Sequence, residues 1–397
     1  MKHPIKVEQI GILALTLGAF TLGLGEFAMM PMLPLFSESF SVTPSESSYA
    51  ISAYALGVVI GAPVFMLLTS KMNKRASLIL FAFMMVVFNG LGAFAQSLDQ
   101  LVITRFLSGL PHGCFFGTAA IVAAKMSRSG QTSSAIAKVF LGLTVAMIVG
   151  VPAATLIGQN IGWRACLVLI ALLSLASLLL LRKLPDITET QQSNIKDEFG
   201  VLKNSAVLSV SLVVIVGFAG IFCIYTYVAD TILAQGQFPE YTVSIAMAMF
   251  GIGSTVGNVV LSKIGDRYPL ATVALTLSVA AVFSIIFVVV HDNLLLLYGV
   301  VFFIGCTVGL ASIIQSLMMS LSPTGHSMIG AIVQCSFNTA NAIGPWAGGV
   351  YIASGANINE VGNVAALLFG GGVVLCSLST LIMNKKRGYE GLNQASS

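Results

Sequence analysis

The sequence predicts an all-α polytopic membrane protein, with twelve transmembrane helices in two pseudo-symmetric six-helix bundles and both termini on the cytoplasmic side. Three observations carry that prediction. Hydrophobic residues fill 56% of the 397 positions and charged residues only 9%, too few charges to clothe a soluble protein of this size. Apolar runs of about 20 residues recur along the whole chain, the length a helix needs to cross the hydrocarbon core; a β-barrel would show shorter alternating segments. Finally, patterns of small residues recur at a nearly fixed offset between the first and second halves of the chain.

The spans follow in order: α1 at 9–34, α2 at 48–70, α3 at 76–96, α4 at 99–124, α5 at 135–158, α6 at 164–182, α7 at 205–232, α8 at 241–263, α9 at 270–290, α10 at 294–319, α11 at 326–353 and α12 at 361–384. The first run is too long for a cleavable signal sequence and lacks a small-residue cleavage site. If the helices alternate in direction, basic residues gather on one side: Lys2 and Lys6; Lys71, Lys74 and Arg75; Lys125, Arg128 and Lys138; Arg182, Lys183, Lys196 and Lys203; Lys263 and Arg267; and Lys385, Lys386 and Arg387. These are 17 of the 19 Lys and Arg, and the positive-inside rule places that side, with both termini, in the cytoplasm. The opposite loops hold only Arg164, at the mouth of α6, which leaves Arg105 alone among the spans. The six Cys all fall within spans, none at metal-ligand spacing, so they read as small core residues and no metal is expected.

The repeat is carried by glycine. Gly57-x-x-x-Gly61 in α2 returns as Gly253-x-x-x-Gly257 in α8, and Gly109-x-x-x-Gly113 in α4 returns as Gly305-x-x-x-Gly309 in α10, both 196 residues later. In α5 the stripe Gly142, Ala146, Gly150, Ala154 and Gly158 corresponds to Ser336, Ala340, Gly344 and Gly348 in α11. Small residues every four positions let helix backbones approach closely in lipid. They predict tight packing and, beyond that, a rocking interface built from α2, α5, α8 and α11. The chain then divides into an N-half at 1–182, a polar cytoplasmic connector at 183–204 and a C-half at 205–397.

Two charges lie deep in the apolar runs, Glu26 and Arg105. A charged side chain at the bilayer centre costs roughly 3 kcal/mol on insertion scales, so such residues face a polar cavity or each other and mark function. Counting at 1.5 Å per residue puts Arg105 roughly 9 Å, and Glu26 roughly 12 Å, from the outer ends of their helices. The matching depths predict a direct or water-bridged pair, read either as a protonation switch or as a strut between α1 and α4. His112 lies seven residues beyond Arg105 on the same face, suited to relay a proton, bind substrate or simply pack. The C-half has no matching charge. It offers Gln334, Asn338 and Asn341 on one face of α11, Gln315 on α10, and Tyr225 and Tyr227 on α7, which, with Tyr54 on α2, suit a neutral, hydroxyl-bearing or amphipathic ligand. Interhelical hydrogen bonding is the competing role for each. Asp230, near the outer end of α7, reads as solvated, and Asn89 in α3 as structural.

Several strings carry a family resemblance. Leu24-Gly25 followed by Pro31-Met32-Leu33-Pro34 resembles the helix-1 motif of twelve-span drug:proton antiporters, and Leu101-x-x-x-Arg105-x-x-x-Gly109 resembles the helix-4 motif of the major facilitator superfamily. Gly150-x-Pro152 resembles the antiporter motif of α5, with Val151 splitting the usual Gly-Pro; Gly344-Pro345 in α11 is the unsplit form. The loop after α2 reads Ser70-Lys71-Met72-Asn73-Lys74-Arg75, keeping the basic residues of the family signature without its Asp, whereas the second copy retains Asp266-Arg267. Gly25-Glu26-Phe27, Tyr54 to Pro63 and Ser108 to Gly117 further resemble the drug:proton antiporter-1 family, in its bacterial arabinose-efflux-permease-like branch of sugar-efflux and chloramphenicol-resistance-like proteins. The resemblance implies the major facilitator fold, proton coupling through Arg105, and the bacterial inner membrane.

The function expected is proton-coupled efflux of a small neutral or amphipathic solute, such as a sugar or drug, by alternating access. A proton-coupled uptake symporter is the alternative the residues also permit. A membrane-embedded enzyme would need a catalytic cluster, and a sensor an extra soluble domain; the chain has neither, nor a phosphate loop for ATP-driven pumping. No cofactor is expected beyond the proton gradient. The expected partners are substrate, protons and lipid, without nucleic acid, and a monomer suffices.

Overall fold

The computed structural model describes residues 3–69, 72–127, 132–187, 200–265, 267–322 and 326–395, and among them it is all helical. Eleven helices are long and apolar enough to cross a membrane: α1 (Gln9–Phe27), α2 (Pro44–Leu68), α3 (Lys74–Ala93), α4 (Leu98–Met126), α5 (Ala135–Ile161), α6 (Trp163–Leu181), α7 (Ser205–Leu233), α8 (Tyr241–Gly265), α9 (Pro269–Val289), α10 (Leu294–Ser320) and α12 (Ile358–Met383). The remaining expected span, α11, is a 28-residue helix at His326–Ala353. It is long enough, but Gln334, Ser336, Asn338 and Asn341 make it less apolar than the others. Large side chains such as Leu172, Leu295 and Leu367 point outward, the last two about 80% and 77% exposed, as lipid-facing positions require.

Proline shapes three of these helices. Pro31 lies in a 3₁₀ turn, Met30–Met32, that ends α1 short of the expected residue 34 and leads into a further helix at Leu33–Phe40. In α5 a π-turn at Ala146–Gly150 precedes Pro152, which has no N–H to return to Ile148. In α2, Pro63 leaves the Val59 carbonyl without its intrahelical donor, and the Cys335 thiol of α11 lies 3.8 Å from it.

The repeat extends from residues to contacts. A Cβ at Gly57 would strike the Phe106 carbonyl, and one at Gly61 the Leu110 carbonyl, both on α4. At Gly253 and Gly257 the obstacles are the carbonyls of Phe302 and Cys306 on α10, the equivalents 196 residues on. Gly142 and Gly150 pack on α1, and Gly344 on α7. These stripes therefore fasten helices within each half, the tight packing their spacing predicts. Close spacing fixes how near two backbones can come and leaves open which neighbour approaches. Gly57→Leu or Gly253→Leu is expected to destabilise the bundle by about 3 kcal/mol or more, because backbone rather than a flexible side chain blocks the added atoms; a loss of monodisperse protein on size exclusion would show it.

The seam between the halves is formed by α2 against α11 and by α5 against α8. Ser52 donates to the Ala342 carbonyl at 2.9 Å, Ser244 to the Pro152 carbonyl at 3.0 Å, and the Gln159 amide to the Glu240 carbonyl at 2.7 Å. A Cβ at Gly251 would sit 2.5 Å from the Met147 carbonyl in the π-turn. These contacts run from the end of the bundle farthest from the chain termini to its middle. One apolar cluster unites the C-half with the far end of the N-half, through Met29, Met30, Met32, Phe36, Ile51 and Trp163. A second contains N-half residues nearer the termini, among them Leu15, Phe81, Phe115 and Leu181, together with Leu184 and Ile187 from the start of the connector. The bundle is therefore sealed at its far end.

The loop between α2 and α3 finds a different acidic partner for the basic residue it retains. Arg75 Nη1 lies 3.2 Å from Asp186, beyond α6, and its Nη2 donates to the Arg182 carbonyl. Asn73 caps α3 by accepting from the Arg75 amide. Arg267 lies with its guanidinium 5.3 Å from the Tyr268 ring; its neighbour Asp266 is outside the described residues.

Candidate functional site

Glu26, Arg105, His112, Tyr54 and Asn341 converge where α1, α2, α4 and α11 meet. Each is almost completely buried, Glu26 at 7% and Arg105 at 1% exposed. The position of Glu26 follows from the end of α1, since the helix stops at Phe27 just before the proline-bearing turn. Arg105 and His112 share a face of α4, seven residues apart, as the sequence predicts.

Among the described residues no ion pair within 4 Å joins Glu26 to Arg105, so of the direct or water-bridged pair expected the direct form is absent. Arg105 Nη2 instead donates to the Gly25 carbonyl at 2.8 Å, and its guanidinium lies 4.2 Å from the centre of the Tyr54 ring. The cation is held by a backbone dipole and an aromatic face beside the carboxylate, while its Nε and Nη1 have no hydrogen-bond partner. Glu26 faces the imidazole and the C-half. His112 Nε2 is 3.5 Å from one carboxylate oxygen, and the Asn341 amide donates to the other at 2.8 Å. Tyr54 Oη lies 2.8 Å from His112 Nδ1, so carboxylate, imidazole and phenol lie in a row.

The other expected substrate residues divide. Tyr225 is buried, its ring 4.2 Å from Phe250 and 6.2 Å from Phe27 across the seam. Asn338 donates to the Gln334 carbonyl one turn earlier, leaving its own Oδ1 unpartnered, as is Oδ1 of Asn341. Gln334 is half-buried, with its Cγ 3.7 Å from where a Cβ at Gly113 would sit. Gln315 is half-buried on α10 and takes no part in this network. Tyr227 is fully buried and donates to the Pro345 carbonyl at 2.8 Å, which makes it a packing residue of α7 and α11. Asp230 is 8% exposed with Oδ2 unpartnered, contrary to its expected solvation; α7 continues to Leu233 and is covered there by the segment after α1. Asn89 is structural as expected, returning a bond to the Met85 carbonyl. Sequence reasoning missed Ser52 and Ser244 as donors across the seam; one hydroxyl in an apolar run carries no signal of the neighbour it meets.

Comparison with known proteins agrees with this architecture. Residues 15–345 match the family model of the Major Facilitator Superfamily. AraJ of Escherichia coli is 31% identical over 368 residues, covering 90% of this chain and 91% of that protein. The inner membrane transport protein YdhP of the same species is 32% identical over 374 residues, covering 93% and 95%. A crystal structure of the nucleoside transporter NupG superposes with a TM-score of 0.74 over 94% of this chain and 99% of that one, at 12% identity, which speaks to fold alone. The chain belongs to the Major Facilitator Superfamily, and is a membrane transporter rather than an enzyme.

Proposed function

We propose that this protein is a proton-coupled exporter of a small neutral or amphipathic solute, working by alternating access in the bacterial inner membrane as a monomer. On this reading it has twelve spans with both termini in the cytoplasm, and its halves, 1–182 and 205–397, rock about the seam. The observation that carries the reading is the buried network on Glu26. A carboxylate inside the bilayer contacts an imidazole of its own half and an amide of the other half, so its protonation is felt on both sides of the seam. With the termini cytoplasmic, the sealed end is the outer one, and Glu26 exchanges its proton with the cytoplasm in this conformation. Protons arriving from outside, when that end opens, drive the return step without any cofactor.

The amides of α11 and the ring of Tyr225 support a hydroxyl-bearing or amphipathic substrate. A thermal-shift screen of purified protein against sugars, amphenicols, nucleosides and amphipathic drugs is expected to return a stabilising ligand. Reconstituted protein should then drive that ligand against its gradient when the proton gradient opposes it. Accumulation in the direction of proton entry would instead identify a symporter.

A further inference from the structure

Several hydrogen bonds from side chains cross the seam among the described residues, and they are not equivalent. Those of Ser52, Gln159, Ser244 and Cys335 end on backbone carbonyls, and that of Ser254 on the Met147 sulfur. None of these acceptors changes charge. The bond from Asn341 ends on the Glu26 carboxylate, which does.

We propose that Asn341 is a positioning residue that locks the two halves together while Glu26 is ionised, and so forbids the empty, unprotonated carrier from reorienting. The inference rests on the proton-coupled reading above. A hydrogen bond to a carboxylate is roughly twice as strong as one to its neutral form. The seam is therefore held most firmly when Glu26 has released its proton and no substrate has arrived. An exchanger must block that step, because a carrier that returns empty carries protons down their gradient without work.

The groups around Glu26 fit this role. Arg105 and His112 face it from α4, Tyr54 from α2 and Tyr225 from α7. All of these except Tyr225 belong to the N-half and move with Glu26, and Tyr225 makes no hydrogen bond to it. Release has a chemical basis as well. Oδ1 of Asn341 and Oδ1 of Asn338, three residues apart on α11, are buried acceptors without donors. A solute bearing hydroxyl or amine donors satisfies both and draws the Asn341 amide away from Glu26. That would select for donor-bearing substrates and make substrate, rather than thermal motion, the key to the lock.

The test uses proteoliposomes of the full-length protein, without substrate, under an imposed pH gradient followed by an entrapped pH dye. Wild-type protein is expected to hold the gradient. Asn341→Ala is expected to leak protons about tenfold faster, the factor set by the extra strength of a charge-assisted bond. Asn341→Ser, too short to reach Glu26, should leak as well and serves if the alanine variant folds poorly. Adding Glu26→Gln to either variant should abolish the leak, an effect that loosened packing would not produce. A tight Asn341 variant, or a leak that survives Glu26→Gln, overturns the lock. Failure of the underlying reading is separate: it appears as proton-driven transport that persists in Glu26→Gln alone.

Discussion

Glu26→Gln is expected to abolish transport driven by a pH gradient, bringing it to the level of empty liposomes, while the protein remains folded. The amide has the size of the carboxyl and still offers an oxygen to Asn341 and a polar edge to His112, so the contacts at 2.8 and 3.5 Å need not be rebuilt. What it lacks is the ability to gain and lose a proton. Exchange of substrate for substrate, which requires the halves to rock but no net proton movement, should persist. Counterflow of labelled ligand beside pH-driven accumulation separates the two. Accumulation against a gradient by the Gln variant would mean that the coupling proton resides elsewhere.

Replacing Arg105 is expected to be nearly as damaging, and lysine should not repair it. Arg105→Ala removes the cation beside a buried carboxylate and leaves that charge without a counter-charge nearby. It also leaves the Gly25 carbonyl without its donor and the Tyr54 ring without its partner. A lysine restores the charge, but its ammonium has no plane to lay on Tyr54 and a stronger hold on water. We expect both variants to lose at least about 100-fold in pH-driven transport, equivalent to about 3 kcal/mol. Near-normal transport by Arg105→Lys would show that charge alone matters there and that the stacked geometry is incidental.

Much of the architecture was legible in the sequence because lipid imposes a simple code. Apolar length fixes a span, and α11 begins and ends at the residues its composition marks, 326 and 353. Charge in the spans singled out Glu26 and Arg105, and helical periodicity added His112. Counting residues gave depth but not azimuth, so two groups at one level could be read as a direct or bridged pair, while the other neighbour each one faces stayed hidden. Gly57 and Gly253 illustrate the same limit: spacing announces a close approach, and only the fold names α4 and α10 as what approaches. Asp230 was misjudged because its burial depends on neighbours that a count along α7 does not reveal. Asn341 was noticed as a polar residue, but its partner lies 315 positions earlier, and no local pattern encodes such a meeting.

The division of the apolar interior has a consequence for how this molecule comes apart. Its helices are duplicated left and right, yet its cores separate along another line: the N-half residues of the far end belong with the whole C-half, and those near the termini stand by themselves. Cooperative unfolding follows buried contacts rather than ancestry. In hydrogen exchange or single-molecule pulling, the first unit to yield as a block should be the terminus-proximal part of α1, α3, α4, α5 and α6, with the remainder of those same helices holding on beside the C-half. The protein would then break through the middle of its helices rather than between its two copies.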